Sequence, residues 1–446
     1  MLPLLMLNAA LAQQTTATPY EQGVAALATK DAQAAIGHFK TCLRDDPKQL
    51  DCHWEIGWAY WLEGDWGEVV THWSTVRDAE PDREGLSRYL SQARDNLSLE
   101  ALLARGREAA PDSFRSTAPE GAKLRLRAVG DMMIGTDFPS ADYLPAQPAA
   151  MFDGVADLLR DADVTFGNLE GPLCDGGETQ KCRPDATPGS CYAFRSPGRY
   201  AEIFKAAGFD VVSTANNHAS DFGQACRVQT EEHLDRVGIK HSGRPGDIAS
   251  LESNGLKIAV IGFHTSRSCH YVNDHETAAD LVRALSTDHD IVVVSFHGGA
   301  EGGRAIHIPD GPETFYGEDR GDLRAFAHTV VDAGADLVIG HGPHVLRGVE
   351  IYGDRLIAYS LGNFATYGRF NLSGNSGLGV VLDVTLDREG RFASGALLPT
   401  RQEGAGIPVK DDDGKAVDLM RMLSEEDFPQ TGVQVARDGS LARRGR

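Results

Sequence analysis

The sequence predicts an α/β domain preceded by a small all-α domain built from helical repeats. Three features support this prediction. A period of 34 residues runs through the first hundred residues, β-rich runs alternate with helical patterns after about residue 122, and polar side chains follow most of those runs. A period of this length is typical of stacked helical hairpins. Alternation of strand and helix patterns is typical of α/β domains.

Length, composition and charge limit the classes of protein to consider. The chain has 446 residues, too many for one ordinary domain, and its 41% hydrophobic and 24% charged residues form an ordinary globular profile. Lys and Arg number 43 against 64 Asp and Glu, so the formal charge is −21. This charge argues against general nucleic-acid binding. No stretch reaches the roughly 18 apolar residues of a membrane span, so no transmembrane segment is expected.

The N terminus and the cysteines predict export. Residues 1–12, MLPLLMLNAALA, are apolar and end in the small-x-small pattern of a signal-peptidase site. We expect a signal peptide here and a periplasmic or extracellular protein; the alternative is a loose apolar N terminus. The seven cysteines form no CxxC pair, which disfavours a zinc–thiolate site. In an oxidising compartment they favour disulfides, with one thiol left over.

The N-terminal repeat matches residues that lie 34 positions apart. The matched pairs are Gly23 and Gly57, Asp31 and Asp65, Phe39 and Trp73, and Pro47 and Pro81. They resemble the tetratricopeptide repeat, in which a small residue lets paired helices approach, a large ring fills the gap, and proline ends the second helix. The resemblance covers residues 13–108, including a capping helix, and implies a surface for a protein partner.

Tryptophan and cysteine have particular positions in these repeats. All five tryptophans lie between Trp54 and Trp73, which is consistent with a ligand site or with helix packing. Their periodicity favours helix packing. Cys42 lies late in one predicted helix and Cys52 early in the next, so this pair is placed to link the two repeats.

The remainder of the chain is interpreted as a linker at 109–121, an α/β domain at 122–400 and a C-terminal extension at 401–446. Helical patterns separate the β-rich runs of the α/β domain. The predicted strands are 124–130, 163–167, 210–215, 257–263, 290–296, 336–340, 355–361 and 379–386.

Polar residues of the kinds that bind metals follow these predicted strands. They are Asp131, Asn168, Glu170, Asn216, Asn217, His218, His297, His341, His344 and Asn363. Ligands of α/β folds bind where the carboxyl ends of the strands converge. The repeated placement therefore predicts one shared site.

Several motifs in this part of the chain resemble a known family. The segments AVGDMMIG, FGNLEGPL, FRSP, ANNHASDFG, SFHGGAE and GHGPHVLRGVEIYGDRLIAYSLGNF are similar to the calcineurin-like metallophosphoesterases, and above all to their capsule-biosynthesis (CapA-type) branch. Three features depart from the general phosphoesterase pattern and match the capsule branch. Met133 replaces a histidine, Glu170 stands for the bridging aspartate, and the last histidines are spaced His-x-x-His.

The resemblance implies a metallophosphoesterase-like α/β sandwich with two divalent ions, Mn, Fe or Zn. The implied metal ligands are Asp131, Glu170, Asn217, His297, His341 and His344. His218 would donate a proton to the leaving group, and Asp221 would either orient His218 or cap a helix. Asn168, Phe194 and Arg195 would bind substrate, with a surface ion pair as the alternative for Arg195. His264, His270 and His275 cluster in one loop, where they are expected to be solvent-exposed; the alternative is that they extend the site.

Three functional hypotheses follow from the resemblance and the residues. The first is an exported CapA-type protein, a metal-dependent hydrolase, that acts on a polyanionic cell-envelope polymer such as poly-γ-glutamate. The second is a periplasmic metal-dependent phosphoesterase. The third is a non-enzymatic scaffold that binds a partner through its repeats and has a structural metal site.

Overall fold

The computed structural model describes residues 17–109, 116–183, 191–431 and 433–444. The predicted signal peptide at 1–12 lies outside these residues, as does about half of the predicted linker. The chain divides into two compact units, Met1–Leu97 and Ser98–Arg446. None of the described helices is long and apolar enough to cross a membrane.

The first unit consists of α-helices. They are α1 (Pro19–Ala28), α2 (Ala32–Asp45), α3 (Leu50–Glu63), α4 (Trp66–Ala79) and the beginning of α5 (Leu86–Glu108). Asp31 and Asp65 cap α2 and α4, because each carboxylate accepts a hydrogen bond from a backbone N–H three residues on. The two caps lie at equivalent positions of the 34-residue period.

Glycine and aromatic residues explain the close packing of these helices. A Cβ atom on Gly23 would lie 2.4 Å from the ring of Phe39, and one on Gly57 would lie 2.1 Å from the ring of Trp73. Both rings are fully buried, and the other four tryptophans pack partly buried against the same core. The helix-packing interpretation of the tryptophans is therefore confirmed. A disulfide joins Cys42 at the end of α2 to Cys52 in α3, as predicted.

Two β-sheets form the second unit. The first contains β1 (Lys123–Met133), β2 (Val164–Leu169), β3 (Val211–Ser213), β4 (Lys240–Ser242), β14 (Asn363–Thr366), β15 (Leu378–Asp387), β16 (Phe392–Glu403), β17 (Ile407–Lys410), β18 (Val433–Val435) and β19 (Ser440–Arg443). The second contains β5 (Ala249–Ser253), β6 (Leu256–His264), β7 (His270–Tyr271), β8 (Ile291–His297), β11 (Leu337–His341), β12 (Val349–Tyr352) and β13 (Arg355–Ala358). A small hairpin pairs β9 (Glu313–Phe315) with β10 (Glu318–Gly321).

Helices cover the outer faces of the two sheets. They are α6 (Ala156–Arg160), α7 (Ala201–Ala207), α8 (Gly223–Val237), α9 (His275–Ser286) and α10 (Leu323–Asp332). A further helix, α11 (Lys415–Asp427), packs against the core between the sheets. One apolar core lies between the sheets, and alternate residues of one strand face different cores. Val293 of β8 belongs to the core between the sheets, whereas Val292 and Val294 pack with α9 and α10. Because both faces are buried, β8 is apolar along its whole length.

The observed architecture is the predicted α/β sandwich, which follows an all-α region in the sequence. In the first sheet β1, β2, β3 and β4 are parallel neighbours, and in the second β6, β8, β11 and β13 are parallel neighbours. Parallel strands of one sheet end at the same edge. The residues of the candidate functional site follow these strand ends.

The segment interpreted as a C-terminal extension packs into the core between the sheets. Met420 of α11, Val433 of β18 and Leu441 of β19 all belong to it. The ring of Phe428 stacks on Tyr359 with centroids 4.9 Å apart. These residues therefore contribute apolar burial to the sandwich.

Candidate functional site

The polar residues that follow the parallel strands meet at one edge of the sandwich. Asp131 lies in β1, Glu170 follows β2, His297 ends β8 and His341 ends β11. His344 follows three residues later with a positive φ of 58°. Asp131, Glu170 and His344 each offer a ligand atom, and these atoms lie within 4.8 Å of one another. The side chains of all three residues are largely or completely buried.

Short distances connect this cluster. Nδ1 of His344 lies 2.9 Å from Oδ2 of Asp131, and its Nε2 lies 3.5 Å from Oε1 of Glu170. Nδ1 of His341 lies 3.6 Å from Oδ1 of Asp131. Nε2 of His297 lies 4.0 Å from Oε1 of Glu170. The structure thus brings five of the six predicted metal ligands into one cluster.

Asn217, the sixth predicted ligand, adjoins this cluster through its chain neighbour. Nε2 of His218 lies 4.0 Å from Oε1 of Glu170. The side-chain oxygen of Asn217 is buried and has no hydrogen-bond partner among the described residues.

Burial and mutual charge shift the pKa values of these groups. Burial raises the pKa of Glu170 well above its ordinary value, and the positive charge of His344 opposes this only in part. Burial also works against the charged form of His344, yet Glu170 and Asp131 together raise its pKa to about 10. For Asp131, the hydrogen bond and charge of His344 outweigh burial and lower the pKa. Burial lowers the pKa of His341 to about 4.

Many polar atoms of the cluster have no hydrogen-bond partner among the described residues. They are both carboxylate oxygens of Glu170, Oδ1 of Asn217, Nε2 of His297 and both ring nitrogens of His341. Buried polar atoms are normally satisfied, and each exception calls for an explanation. A divalent cation accounts for this set, because carboxylate, amide and neutral imidazole groups are its usual ligands. The residues present therefore fit a metal centre.

Asn168 contacts two residues of the cluster. Its Nδ2 donates to Oδ1 of Asp131 over 2.8 Å and lies 3.3 Å from Nδ1 of His297. Asn216 in turn donates to the side-chain oxygen of Asn168 over 3.2 Å. Asn168 is completely buried, and its contacts orient the side chains of Asp131 and His297. The predicted substrate contact of Asn168 stays a prediction.

His218 forms a dyad with Asp221. Nδ1 of His218 lies 2.7 Å from Oδ2 of Asp221, which also accepts the backbone N–H of Phe194 over 2.8 Å. The residue at the N-cap of α8 is Phe222, and no side chain caps that helix. Of the two roles considered for Asp221, the structure shows the orientation of His218. Burial lowers the pKa of His218, and the charge of Asp221 opposes that effect.

Aromatic rings pack around the dyad. The ring of Phe194 stacks on His218 with centroids 4.2 Å apart, and the ring of Phe370 packs against both Phe194 and His344. This stacking limits the rotation of the imidazole. The structure therefore packs Phe194 against His218. The predicted contact of Phe194 with substrate stays a prediction.

Arg195 forms a partly exposed ion pair. Its Nε donates to Oδ1 of Asp137 over 2.7 Å, and its Nη1 donates to the carbonyl oxygen of Gly177 over the same distance. The guanidinium also lies over the ring of Phe222. The structure thus shows the ion pair that was one of two alternatives for Arg195. A role in substrate binding stays a prediction.

Two further disulfides tie the segment before Phe194 to the domain. Cys174 is bonded to Cys226 of α8, and Cys182 is bonded to Cys191. The remaining cysteine, Cys269, is buried and free. The predicted pattern of disulfides with one thiol left over is confirmed.

The expectation of exposed loop histidines after β6 is wrong: two of the three are buried, and His275 is partly buried and begins α9. His264 and His270 have exposed fractions of 4% and 3%. His264 is the last residue of β6 and pairs in register with His297 of β8, with ring centroids 5.5 Å apart. The strand extends one residue beyond the predicted run at each end. His264 follows an apolar run just as His297 does, so the signal that identified His297 was also present for His264.

Two buried arginines hold the loop that follows His297, and the sequence analysis assigned them no role. Arg347 donates to both carboxylate oxygens of Glu313, over 2.8 and 2.7 Å, and to the carbonyl oxygen of Ala305 over 2.8 Å. Arg320 donates to the carbonyl oxygen of Gly299 over 2.9 Å. Both arginines are at most 2% exposed. Paired, hydrogen-bonded charges of this kind fix a loop in position.

Comparison with known families gives a match over residues 125–367, to the family model described as "Bacterial capsule synthesis protein PGA_cap". The matched segment contains Asp131, Glu170, the His218 dyad and the three histidines at 297, 341 and 344. It thus covers the whole cluster and more than half of the chain.

Individual relatives carry related descriptions. The "PGA biosynthesis protein CapA" of Bacillus subtilis is 27% identical over 327 residues, which cover 68% of this chain and 78% of that protein. The "Capsule biosynthesis protein CapA" of Bacillus anthracis is 27% identical over 271 residues, covering 55% and 60%. A "probable polyglutamine synthesis accessory protein" of Mycobacterium tuberculosis is 27% identical over 228 residues, covering 45% and 55%.

Proposed function

Because the chain belongs to the family of bacterial capsule synthesis proteins described as PGA_cap, we propose that it is exported and acts, through a divalent metal centre, on a polyanionic envelope polymer such as poly-γ-glutamate. The descriptions of the Bacillus relatives support the polymer class. The three disulfides support export, since such bonds persist in oxidising compartments.

The main support for the metal centre is the burial of Glu170 without hydrogen-bond partners. Its carboxylate is completely buried, and neither oxygen has a hydrogen-bond partner among the described residues. An ionised group in that position is costly unless a cation compensates it. The residues that would hold two ions of Mn, Fe or Zn are Asp131, Glu170, Asn217, His297, His341 and His344. Bound divalent ions lower the pKa of water and polarise the group under attack.

The other residues of the site would supply binding and proton transfer. Asp221 holds Nδ1 of His218 and thereby directs Nε2 towards Glu170 and the cluster. In the protonated form of His218, which the charge of Asp221 favours against burial, Nε2 would donate a proton to the leaving group of a substrate bound at the cluster. This dyad favours hydrolysis over a purely structural metal site, because such a site needs no oriented acid.

Metal analysis of the purified full-length protein tests this proposal. We expect about one to two divalent ions per chain, in line with the number of ligands. Glu170→Ala and His297→Ala should each lower that content. His289→Ala is the matched control, because His289 lies just before the opposite end of β8 from His297. Protein that remains free of metal after supplementation with Mn²⁺, Zn²⁺ and Fe²⁺ would refute the metal centre.

Substrate assays then separate the functional alternatives. γ-Glutamyl polymers, phosphodiesters and phosphomonoesters should be tested in parallel on the metal-loaded protein. Cleavage of the γ-glutamyl polymer supports the proposal. Cleavage of phosphoesters alone would favour the phosphoesterase alternative. If metal-loaded protein cleaves none of these and His218→Ala restores envelope function in cells as well as wild type, a scaffold role replaces the proposal.

The helical unit would serve this function by binding a protein partner. Stacked helical hairpins commonly present a continuous surface to other proteins. We therefore assign recruitment to residues 13–108 and chemistry to residues 122–400, boundaries taken from the sequence.

A further inference from the structure

A polar cavity of about 240 Å³ lies beside the His218–Asp221 dyad. It borders the metal-ligand cluster through Asn217 and reaches the loop that follows β6. Hydroxyl, amide and charged groups form its walls. Among those that matter here are Lys181, Asn217, Ser220, Asp221, Ser266 and Ser268.

Lys181 is the cation of this cavity. Its ammonium lies 3.0 Å from the carbonyl oxygen of Asn217 and 3.2 Å from Oδ1 of Asp221. The side chain is 31% exposed, so it faces solvent as well as these partners. Oδ2 of Asp221 is already engaged by His218 and by the N–H of Phe194. The dyad therefore shares the negative charge of Asp221 with Lys181.

Three segments of the chain line the cavity, and two of them contain basic but no acidic residues. Residues 179–183 contain Lys181 and Arg183, and residues 264–270 contain Arg267; neither segment contains an Asp or Glu. The whole chain has 64 acidic against 43 basic residues. The guanidinium of Arg267 lies 4.4 Å from the ring centroid of Tyr271. The third segment, 216–221, contributes Asp221, so Lys181 is the basic residue and Asp221 the acidic residue of the lining. A partly exposed ammonium in such a place can attract an anionic ligand even where the net charge of the protein is negative.

Backbone contacts hold Lys181 at the cavity. The N–H of Gln180 donates to the carbonyl oxygen of Asp221 over 2.8 Å, and the hydroxyl of Thr179 donates to the same oxygen over 3.0 Å. The disulfide of Cys182 begins at the next residue. The position of the ammonium is thus set by the fold before any ligand arrives, which reduces the entropy lost on binding.

We propose that this cavity is a subsite for an anionic oxygen group, a carboxylate or a phosphate, of the polymer unit next to the one at the metal cluster. This inference rests on the proposed function and adds to it the position of a second recognition point. A polyanion carries a charge on each unit, so a unit bound at the cluster places its neighbour's charge close by. Lys181 would pair with that charge, and the serine hydroxyls would donate hydrogen bonds to it.

Calorimetric binding to the full-length, metal-loaded protein tests the subsite. The probes are short γ-linked glutamate oligomers and, separately, inorganic phosphate. Lys181→Gln should weaken binding of an oligomer about tenfold, the order expected for one charge-assisted hydrogen bond. Lys181→Arg should restore most of the affinity because it keeps the charge. Lys257→Gln is the matched control, since Lys257 is exposed near the opposite end of β6 from His264.

Metal content of Lys181→Gln should equal that of wild type, because the side chain is no proposed ligand. Its thermal midpoint should fall, because Oδ1 of the buried Asp221 loses its cationic partner. If oligomers bind wild type and Lys181→Gln equally well, the subsite is wrong and the polymer function stands. If phosphate alone binds, and binds through Lys181, the subsite stands and the polymer class is wrong. If wild type binds neither probe, the subsite is wrong.

Discussion

Replacing Glu170 by Gln should change stability in opposite ways with and without metal. The substitution removes a charge and keeps the shape of the side chain. Glu170 is completely buried, and both oxygens lack a hydrogen-bond partner among the described residues. Nε2 of His344, 3.5 Å away, compensates the charge only in part.

The size of each effect follows from this geometry. Leaving a buried group unsatisfied costs about 1–3 kcal/mol. In the presence of a chelator, Glu170→Gln should therefore raise the free energy of unfolding by about that amount. Metal at 100 times its Kd should stabilise wild type by about 2.7 kcal/mol. The variant should lose about 1.4 kcal/mol of that gain for each tenfold loss of metal affinity.

The pH dependence has a definite sign. Burial raises the folded-state pKa of Glu170 well above its ordinary value of 4.5, so the folded state holds this proton more tightly than the unfolded state does. The stability of the chelated wild type should therefore fall as pH rises from about 4.5 towards the folded-state pKa. Glu170→Gln lacks this contribution, so its advantage should vanish near pH 4 and grow with pH.

Scanning calorimetry measures both effects, and the chain supplies an internal reference. All five tryptophans lie in the helical unit, so their fluorescence should not respond to Glu170→Gln. Glu350→Gln is a matched control. Glu350 is equally buried, but its oxygens accept from Tyr359 over 2.7 Å and contact His328, and these partners outweigh burial and lower its pKa.

The control should be less stable than wild type with and without metal, because it breaks satisfied contacts. The reasoning fails if Glu170→Gln is less stable than wild type in chelator. It also fails if metal stabilises the variant and wild type equally.

Three other predictions concern separate parts of the second unit. His218→Ala should keep its metal, measured by elemental analysis, while turnover falls about 10²–10⁴-fold, whereas His341→Ala should lose both. Equal turnover of His218→Ala and wild type would contradict the dyad's role. Arg347→Met should lower the free energy of unfolding by about 3–5 kcal/mol in denaturant titrations, since it leaves Glu313 buried without its partner; a loss below about 1 kcal/mol would contradict that. Peptide mapping without reductant should find Cys269 alkylated only after unfolding, because it is free and buried; several reactive thiols in the native protein would contradict export.

Local patterns in the sequence predicted the parts of the site that lie at strand ends. The β-rich runs before Asp131, His297 and His341 identified strands, and parallel strands of one sheet must end at one edge. The same rule applied to His264. Because β6 continues one residue beyond the end of the predicted run, His264 lies in the buried strand and not in the loop. The periodic pattern of a run does not resolve its last residue.

Contacts between residues far apart in the chain required the tertiary structure. Asp221 was equally consistent with a helix cap and with a partner for His218, because both roles suit a carboxylate three residues after a histidine. Only the packing of Phe194 against this loop shows which one is realised. In the same way, Arg195 was consistent with substrate or with an ion pair until Asp137 was placed beside it.

The sequence by itself determined the alternation of helices and strands in the α/β domain, the residue types available for a metal centre, and the presence of disulfides with one thiol left over. These properties follow from periodicity, composition and cysteine count, which are local or additive. Only the tertiary structure decided how Cys174, Cys182, Cys191 and Cys226 pair. It alone also decided that Arg347 and Glu313 are buried together, and that Lys181 reaches a cavity beside His218. The physical reason is that each of these contacts depends on a distance of a few ångströms between segments that are far apart in the chain. The number of residues between two segments does not tell how close they lie in the folded protein.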